Sequence, residues 1–472
     1  MIRVTGEATE APRTEASMPS AGTSWIDRYF KLTERGTNVT TEARAGLTTF
    51  MVMAYILFVN GAILTGGFDA LGVADPKWNL ATIAAGTALV AGVMTIVMGV
   101  VGNYPFALAA GLGINAIVAF TLTGRGLSPA GAMGVIVIEG LLVTLFVLVG
   151  LREAIMNAVP IALKRAIGVG IGLFILFIGF ANGGLVKAGS GTLVTISFPT
   201  EASQWVFLAG LLITVVLYVM RIKAALVISI LLTTVLALIV GVAQIPASAD
   251  LLATPKFDTL GQFDLGQVFS VLPLVTALLV IFAIMLTDFF DTMGTVTGVA
   301  AEAGLARPDG SVPGVGRVLL VDSVAAIAGG ASGVSSNTTY IESAAGVADG
   351  GRTGLTSVVT GLLFLAAIFL SPIALIVPSA ATAPALVLVG YLMFTLVKDI
   401  PVGDVEDGLP ALLTMILMPL TYDITVGIGA GFISWVLIKL VRGKMSEIHP
   451  LMWVVSIAFL IFFAQDWITS LL

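Results

Sequence analysis

Tyr104-Pro105-Phe106-Ala107-Leu108-Ala109-Ala110-Gly111-Leu112-Gly113-Ile114-Asn115-Ala116 and Ser335-Ser336-Asn337-Thr338-Thr339-Tyr340-Ile341-Glu342-Ser343-Ala344-Ala345-Gly346 are the two stretches whose reading decides the fold. Both are apolar enough to lie in a bilayer, yet neither reads as an ordinary spanning helix. They are rich in Gly, Ala, Ser and Thr, and Pro105, Asn115 and Glu342 would each be costly against lipid. Interrupted backbone at membrane depth is tolerated only where protein or a water-filled cavity covers it. Segments 104–122 and 334–350 are therefore read as broken spans buried inside a larger bundle.

The rest of the chain supplies that bundle. A span needs about 20 mainly apolar residues. Segments near 45–65, 79–101, 130–150, 161–182, 204–221, 224–244, 270–300, 315–332, 353–373, 380–398, 406–422 and 423–441 meet or approach that length. Composition agrees: 58% of the 472 residues are hydrophobic and 11% charged, against about 25% charged in soluble domains. With the N-terminus inside and the broken segments counted as spans three and ten, 18 of the 22 Lys and Arg fall inside. Only Lys77, Arg125, Lys187 and Lys256 fall outside, as the positive-inside rule requires. Dropping either broken segment spoils that split. The fold class read here is an all-α polytopic membrane protein with 14 transmembrane segments in two repeats of seven. An odd number per half inverts the second repeat. Discontinuous segments in matching positions point to a binding site at the midplane. A further segment, 450–470, either spans or lies at the edge.

Other features mainly exclude. The chain has no cysteine and one histidine, His449, so thiolate or zinc chemistry is not expected, and neither a metal nor a cofactor is. The net charge of −6, spread over short loops, implies no nucleic-acid partner. Residues 1–40 are polar and read as a disordered cytoplasmic tail ending in the amphipathic Trp25-Ile26-Asp27-Arg28-Tyr29-Phe30, without the apolar core of a signal peptide.

Charges at membrane depth are few: Glu139, Asp288, Asp291, Asp322 and Glu342, with Asp423 at an edge and no Lys or Arg at similar depth. Such a set suits a neutral, donor-rich ligand and proton binding. Asp288 and Asp291, three apart, share a helix face that Thr292 and Thr295 extend. Glu139 stands alone and reads as structural, Asp322 is evenly balanced, and Asn115 is a ligand or a helix cap. Residues 337–342 can run extended into a helix N-terminus, and 104–116 can do the same from the other half. A flat heterocycle between them would meet backbone amides, Asn115, Asp288 and Glu342. An intramembrane aspartyl-type enzyme is the other class considered, but two acids three apart on one helix do not face each other. A passive channel is a third.

Five runs carry a resemblance. They are Glu42-Ala43-Arg44-Ala45-Gly46-Leu47-Thr48-Thr49-Phe50 with Met53-Ala54-Tyr55-Ile56, Gly111 to Ala116, Thr287-Asp288-Phe289-Phe290-Asp291-Thr292, Thr338 to Ser343, and Thr414-Met415-Ile416-Leu417-Met418-Pro419-Leu420-Thr421-Tyr422. Over about residues 40–442 the chain resembles nucleobase–cation symporter family 2, in particular its AzgA-like adenine, guanine and hypoxanthine permeases. The resemblance implies a core domain (41–150 and 263–375, spans 1–4 and 8–11) and a gate domain (151–262 and 376–442, spans 5–7 and 12–14), with 443–472 an extra segment. It implies short strands at spans three and ten and a purine held between them and span eight. Asp288 and Glu342 would hold the base, with Asn115, Ile341, Thr292 and Ala110 completing the set. Asp291 and Asp322 would support transport and proton coupling. It further implies import by proton symport with an elevator-like movement, the cell membrane as location, and a homodimer through the gate domain. Asp288, where uracil or xanthine relatives usually have Glu, favours the AzgA-like branch over a carrier of xanthine or uracil. An anion carrier of this architecture would be expected to place a cation near the site.

Overall fold

The computed structural model describes residues 24–150, 158–189, 191–245, 254–307 and 311–471. Of the tail expected over 1–40, residues 1–23 lie outside the described residues, and the remainder is folded rather than disordered. Helix α1 (Trp25–Phe30) buries Phe30, and Leu32 follows it into the protein. The Tyr29 hydroxyl donates to the Val100 carbonyl at 2.9 Å. Arg35 donates to the carbonyls of Asn103 and Arg352 at 2.6 and 2.9 Å. Aromatic burial and a guanidinium satisfying loop carbonyls thus fix a segment whose polarity suggested disorder.

The first span is two helices, α2 (Val39–Met53) and α3 (Ile56–Ala70), separated at Ala54-Tyr55. Side chains cap the starts: Asn38 accepts from Thr41 N at 2.9 Å, and Asn79 with Thr82 forms a capping box on α4 (Leu80–Val97). The first broken segment holds strand β1 (Leu108–Ala110) and helix α5 (Leu112–Ala116). Then come α6 (Pro129–Leu148, with Pro129 in its first turn), α7 (Ile161–Asn182), a hairpin of β2 (Val186–Lys187) and β3 (Thr195–Ile196), α8 (Ala202–Val219) and α9 (Ala225–Val240). A short α10 (Leu265–Val271) leads into α11 (Leu274–Glu302) and α12 (Val315–Ala331). The second broken segment holds β4 (Asn337–Thr339) and α13 (Ser343–Ala348). The chain closes with α14 (Gly354–Ala367), α15 (Ser379–Phe394), α16 (Val405–Thr421), α17 (Ile424–Val441) and α18 (Pro450–Leu471).

Among the described residues, nine helices are long and apolar enough to cross a membrane. The architecture is a polytopic helical membrane protein. Glycines let its helices touch backbone to backbone, as in many membrane bundles. A Cβ on Gly361 of α14 would lie 2.5 Å from the Gly92 carbonyl of α4, and one on Gly390 of α15 would lie 2.5 Å from that of Gly172 on α7. The C-terminal helix α18 packs on α17 through Phe459, whose ring sits 6.1 Å from that of Phe432.

At the centre, β1 and β4 pair antiparallel, with Leu108 opposite Thr339, Ala109 opposite Thr338 and Ala110 opposite Asn337. All six residues are buried. Each strand supplies the other's backbone partners, which is how non-helical chain survives at this depth. One sequence expectation needs correcting here. Asp423 does have a cation: the loop after the first broken segment brings Arg125 onto it as an ion pair. Both residues sit on turns, so the pair forms between loops rather than between helix faces.

Candidate functional site

Hydrogen bonds extend the strand ladder at both ends. Gly111 N donates to the Ser336 carbonyl and Tyr340 N to that of Ala107, each at 2.9 Å. Side chains then anchor the ladder. Thr95 of α4 accepts from Leu108 N at 2.9 Å, and Ser343 Oγ accepts from Ala107 N at 3.0 Å. Asp322 of α12 reaches the other strand: its Oδ1 accepts from Thr339 N and Oγ1 at 2.9 and 2.7 Å, while Oδ2 accepts from Thr292 Oγ1 of α11 at 2.7 Å. One buried carboxylate therefore ties β4 to both α11 and α12.

The remaining residues singled out from the sequence gather around this frame. Asp288 on α11 is fully buried, whereas Asp291, one turn further along, is exposed. The shared face thus runs from the packed interior to accessible surface. Glu342 is half-buried, and the Tyr55 hydroxyl donates to its Oε1 at 2.7 Å. Asp291 is within electrostatic reach of Glu342 and Asp322. Ile341, beside Glu342, is 54% exposed. Asn115 is fully buried, and among the described residues neither its Oδ1 nor its Nδ2 has a hydrogen-bond partner. It is not a helix cap, because Gly111 occupies the N-cap of α5 and Asn115 N already donates to the Gly111 carbonyl at 2.8 Å. The Ala110 carbonyl accepts from the Tyr340 hydroxyl, and the Thr292 hydroxyl is committed to Asp322. Those two residues belong to the packed frame, while Asp291 and Ile341 are exposed and Glu342 is half-buried. Glu139 is buried on α6 beside Gly140, where α6 meets α12, and belongs to that packing face.

Sequence reasoning passed over several participants. Tyr55 lies in a quoted motif but sits in an apolar span, and nothing local links it to Glu342. Tyr340 was counted only as part of an extended run. Asn337, Thr338, Ser335 and Ser336 are buried with side-chain polar atoms that lack partners among the described residues. Lys164 of α7 stands 5.4 Å over the Phe290 ring, between the two aspartates in sequence. Among the described residues no group of three His, Cys, Asp or Glu could hold a metal ion. Ionised carboxylates only accept hydrogen bonds, whereas the Asn115 amide both donates and accepts. Together they can bind a planar molecule that carries N–H donors beside carbonyl or ring-nitrogen acceptors.

The chain's likeness to known proteins agrees with this chemistry. The model of the Permease family matches residues 41–430. The guanine/hypoxanthine permease PbuG of Bacillus subtilis is 40% identical over 438 residues, covering 92% of this chain and 98% of that protein. The adenine permease AdeP of Escherichia coli is 37% identical, covering 94% and 96%. Among solved structures, the transmembrane domain of the cyanobacterial bicarbonate transporter BicA superimposes with a TM-score of 0.61 at 15% identity, over 83% of this chain and 96% of that one. SLC26A9 does so with a TM-score of 0.60 at 13% identity, over 89% and 67%. At such identities these two speak for the fold alone. The sequence relatives go further, and the chain belongs to the Permease family, among its nucleobase permeases, which are transporters and not enzymes.

Proposed function

We propose that the protein imports purine nucleobases (adenine, guanine or hypoxanthine) across the cell membrane by proton symport, with its N-terminus in the cytoplasm. The observation that carries the substrate reading is Asn115. A buried amide without a partner is costly unless a ligand or water completes it, and this one belongs to the broken segment paired with Glu342's. Asp288 and Glu342 hold the base, Asn115 reads its edge, and Ile341, Thr292 and Ala110 shape the walls. Asp291 takes part in proton coupling, and Asp322 supports it by holding the strand. The purine names of the sequence relatives support the substrate class.

The same proposal includes fourteen spans in two inverted repeats, divided into core (41–150, 263–375) and gate (151–262, 376–442), the gate also forming a homodimer contact. Counted this way, α2 and α3 make span one, α4 to α9 with the first broken segment make spans two to seven, and α11 to α17 with the second make spans eight to fourteen. What supports the inversion is an exchange of packing partners. Span two (α4) packs on span eleven (α14) as span nine (α12) packs on span four (α6). Span five (α7) packs on thirteen (α16) as twelve (α15) packs on six (α8). Spans three and ten pair with each other. An elevator-like movement of core against gate would expose the site alternately.

Uptake of radiolabelled purines into liposomes holding the purified protein tests this. Glu342→Ala and Asp288→Ala should lose uptake while still reaching the membrane, and Glu139→Gln should keep most of it. Uptake should rise as the outside pH falls from about 8 to about 6, because protonated carboxyls can donate to a base. It should stop with a protonophore. Wild-type uptake by either alanine variant sinks the site, and sodium dependence without pH dependence sinks proton coupling.

A further inference from the structure

We propose that Tyr55 is a positioning residue for Glu342, an inference that rests on Glu342 being a ligand of the base. Tyr55 occupies the break between α2 and α3, is fully buried, and donates to Glu342 Oε1 at 2.7 Å. With Oε1 tied, the half-buried carboxylate cannot turn freely beside Ile341 and Asp291, both of which are exposed. The break in span one brings the phenol to this point. Tyr55→Phe removes only the hydroxyl. Losing a hydrogen bond to a charged group should raise the KM for the base roughly tenfold. Vmax should stay within about twofold, since ring packing is kept. An unchanged KM, or a lower Vmax at unchanged KM, overturns the assignment. Glu342→Ala run in parallel separates the two ideas: normal uptake there removes the site itself, whatever Tyr55→Phe does.

A second inference stands on different residues, and rests on the core and gate division. Among the described residues, two ion pairs join those domains, one at each face. Arg125, in the loop after span three, pairs with Asp423 in the turn between spans thirteen and fourteen. Asp349, which caps α13 at the inner end of span ten, pairs with Lys223 in the turn between spans six and seven. In the inverted repeat these loops are counterparts: three matches ten, and the six–seven turn matches the thirteen–fourteen turn. The core gives the cation on the outer face and the anion on the inner face. Each catch is reinforced. Asp423 Oδ1 accepts from Thr425 N at 2.8 Å, and the Arg125 guanidinium lies 5.0 Å over the Phe462 ring of α18. Thr48 also donates to Asp349. The geometry points to matched catches that hold core and gate in register and must part for the site to change sides. The outer catch is the firmer. Its side chains are 19% and 15% exposed, against 58% and 20% for the inner one, and exposed pairs are weak.

An Arg–Asp pair is too wide for a disulfide, so the test uses a short, reducible thiol-to-thiol linker. The wild-type chain has no cysteine and serves as the blank. Linking Arg125→Cys to Asp423→Cys, or Lys223→Cys to Asp349→Cys, should stop purine uptake, and reduction should restore it. Full linkage at either pair with uptake unchanged overturns the inference for that catch. As a second measure, Arg125→Asp and Asp423→Arg should each slow uptake, and the double swap should recover it. No recovery also counts against the catch. Uptake by the unlinked protein, measured alongside, reports on the transport reading by itself.

Discussion

Asp322 offers the sharpest single perturbation, because at least three donors converge on it and all are buried. Thr339 gives its N–H and its hydroxyl, and Thr292 its hydroxyl. Asp322 and Thr292 are fully buried and Thr339 is 1% exposed. In Asp322→Ala the two hydroxyls can turn to other acceptors, but the Thr339 N–H cannot. Leaving it unpaired costs about 1–3 kcal/mol, and each lost bond to a charged acceptor adds about 1.5–3 kcal/mol before any recovery. The loss is therefore several kcal/mol, enough to free β4 from α11 and α12. Asp322→Asn differs. Its amide oxygen can keep both Thr339 bonds while its NH₂ group donates to Thr292. Only the charge assistance is lost, about 1 kcal/mol per bond. The assay is paired: thermal melting in detergent and purine uptake in liposomes. The alanine variant should melt well below wild type and transport nothing. The asparagine variant should melt slightly lower and keep uptake, with KM raised by up to about tenfold for each 1.4 kcal/mol that reaches the site. Wild-type melting and uptake by Asp322→Ala would refute the strut. Total loss of uptake in a stable Asp322→Asn would make the residue a proton carrier instead.

Three further outcomes follow from the packing and topology. Gly361→Val should destabilise by about 1–3 kcal/mol or more, since its Cβ would meet the Gly92 carbonyl at 2.5 Å; Gly316→Ala, with nothing within 4 Å, should be neutral in the same melting assay. Glu42→Ala should cost several kcal/mol and sharply reduce folded yield, because the buried carboxylate accepts from Arg352 N and from both the N–H and the hydroxyl of Thr353 and Thr356; recovery by Glu42→Gln should be partial. An impermeant thiol reagent added outside intact cells should label Lys77→Cys and Lys256→Cys but neither Lys398→Cys nor Arg442→Cys, and labelling of the last two would undo the fourteen-span count.

What could be read from the sequence followed from local physics. Lipid cannot satisfy a Pro-, Gly- and Ser-rich backbone, so the broken segments announced themselves, and the strands lie at Leu108–Ala110 and Asn337–Thr339 within them. Span one gave no such signal, because Ala54 and Tyr55 carry no breaker chemistry, yet the helix is interrupted there and Tyr55 meets Glu342. The β2–β3 hairpin was missed because two-residue strands fall below any periodicity. Partnerships across the chain were also invisible. Tyr55 and Glu342 are 287 positions apart, and Arg125 and Asp423 are 298 apart. Asp322 looked balanced between roles because only the fold reveals that Thr292 and Thr339 converge on it.

The shared strand ladder also sets a timetable for biogenesis. Tyr340 stands 230 residues after the Ala110 carbonyl it binds. At translation rates of about 5–20 residues per second, β1 waits roughly 10–50 s for its partner to be made. Through that interval the Ala107 and Ala110 carbonyls and the Gly111 N–H, whose partners Tyr340 and Ser336 come from the second half, are left open at membrane depth, where each unsatisfied group costs several kcal/mol. The first half of the chain therefore cannot complete its own interior. Something must shelter residues 108–110 until 337–339 arrive, be it the insertion machinery, water or a delayed entry of the segment. A ribosome-stalled chain ending near residue 300 should remain associated with that machinery, and one extended past the second strand should let go.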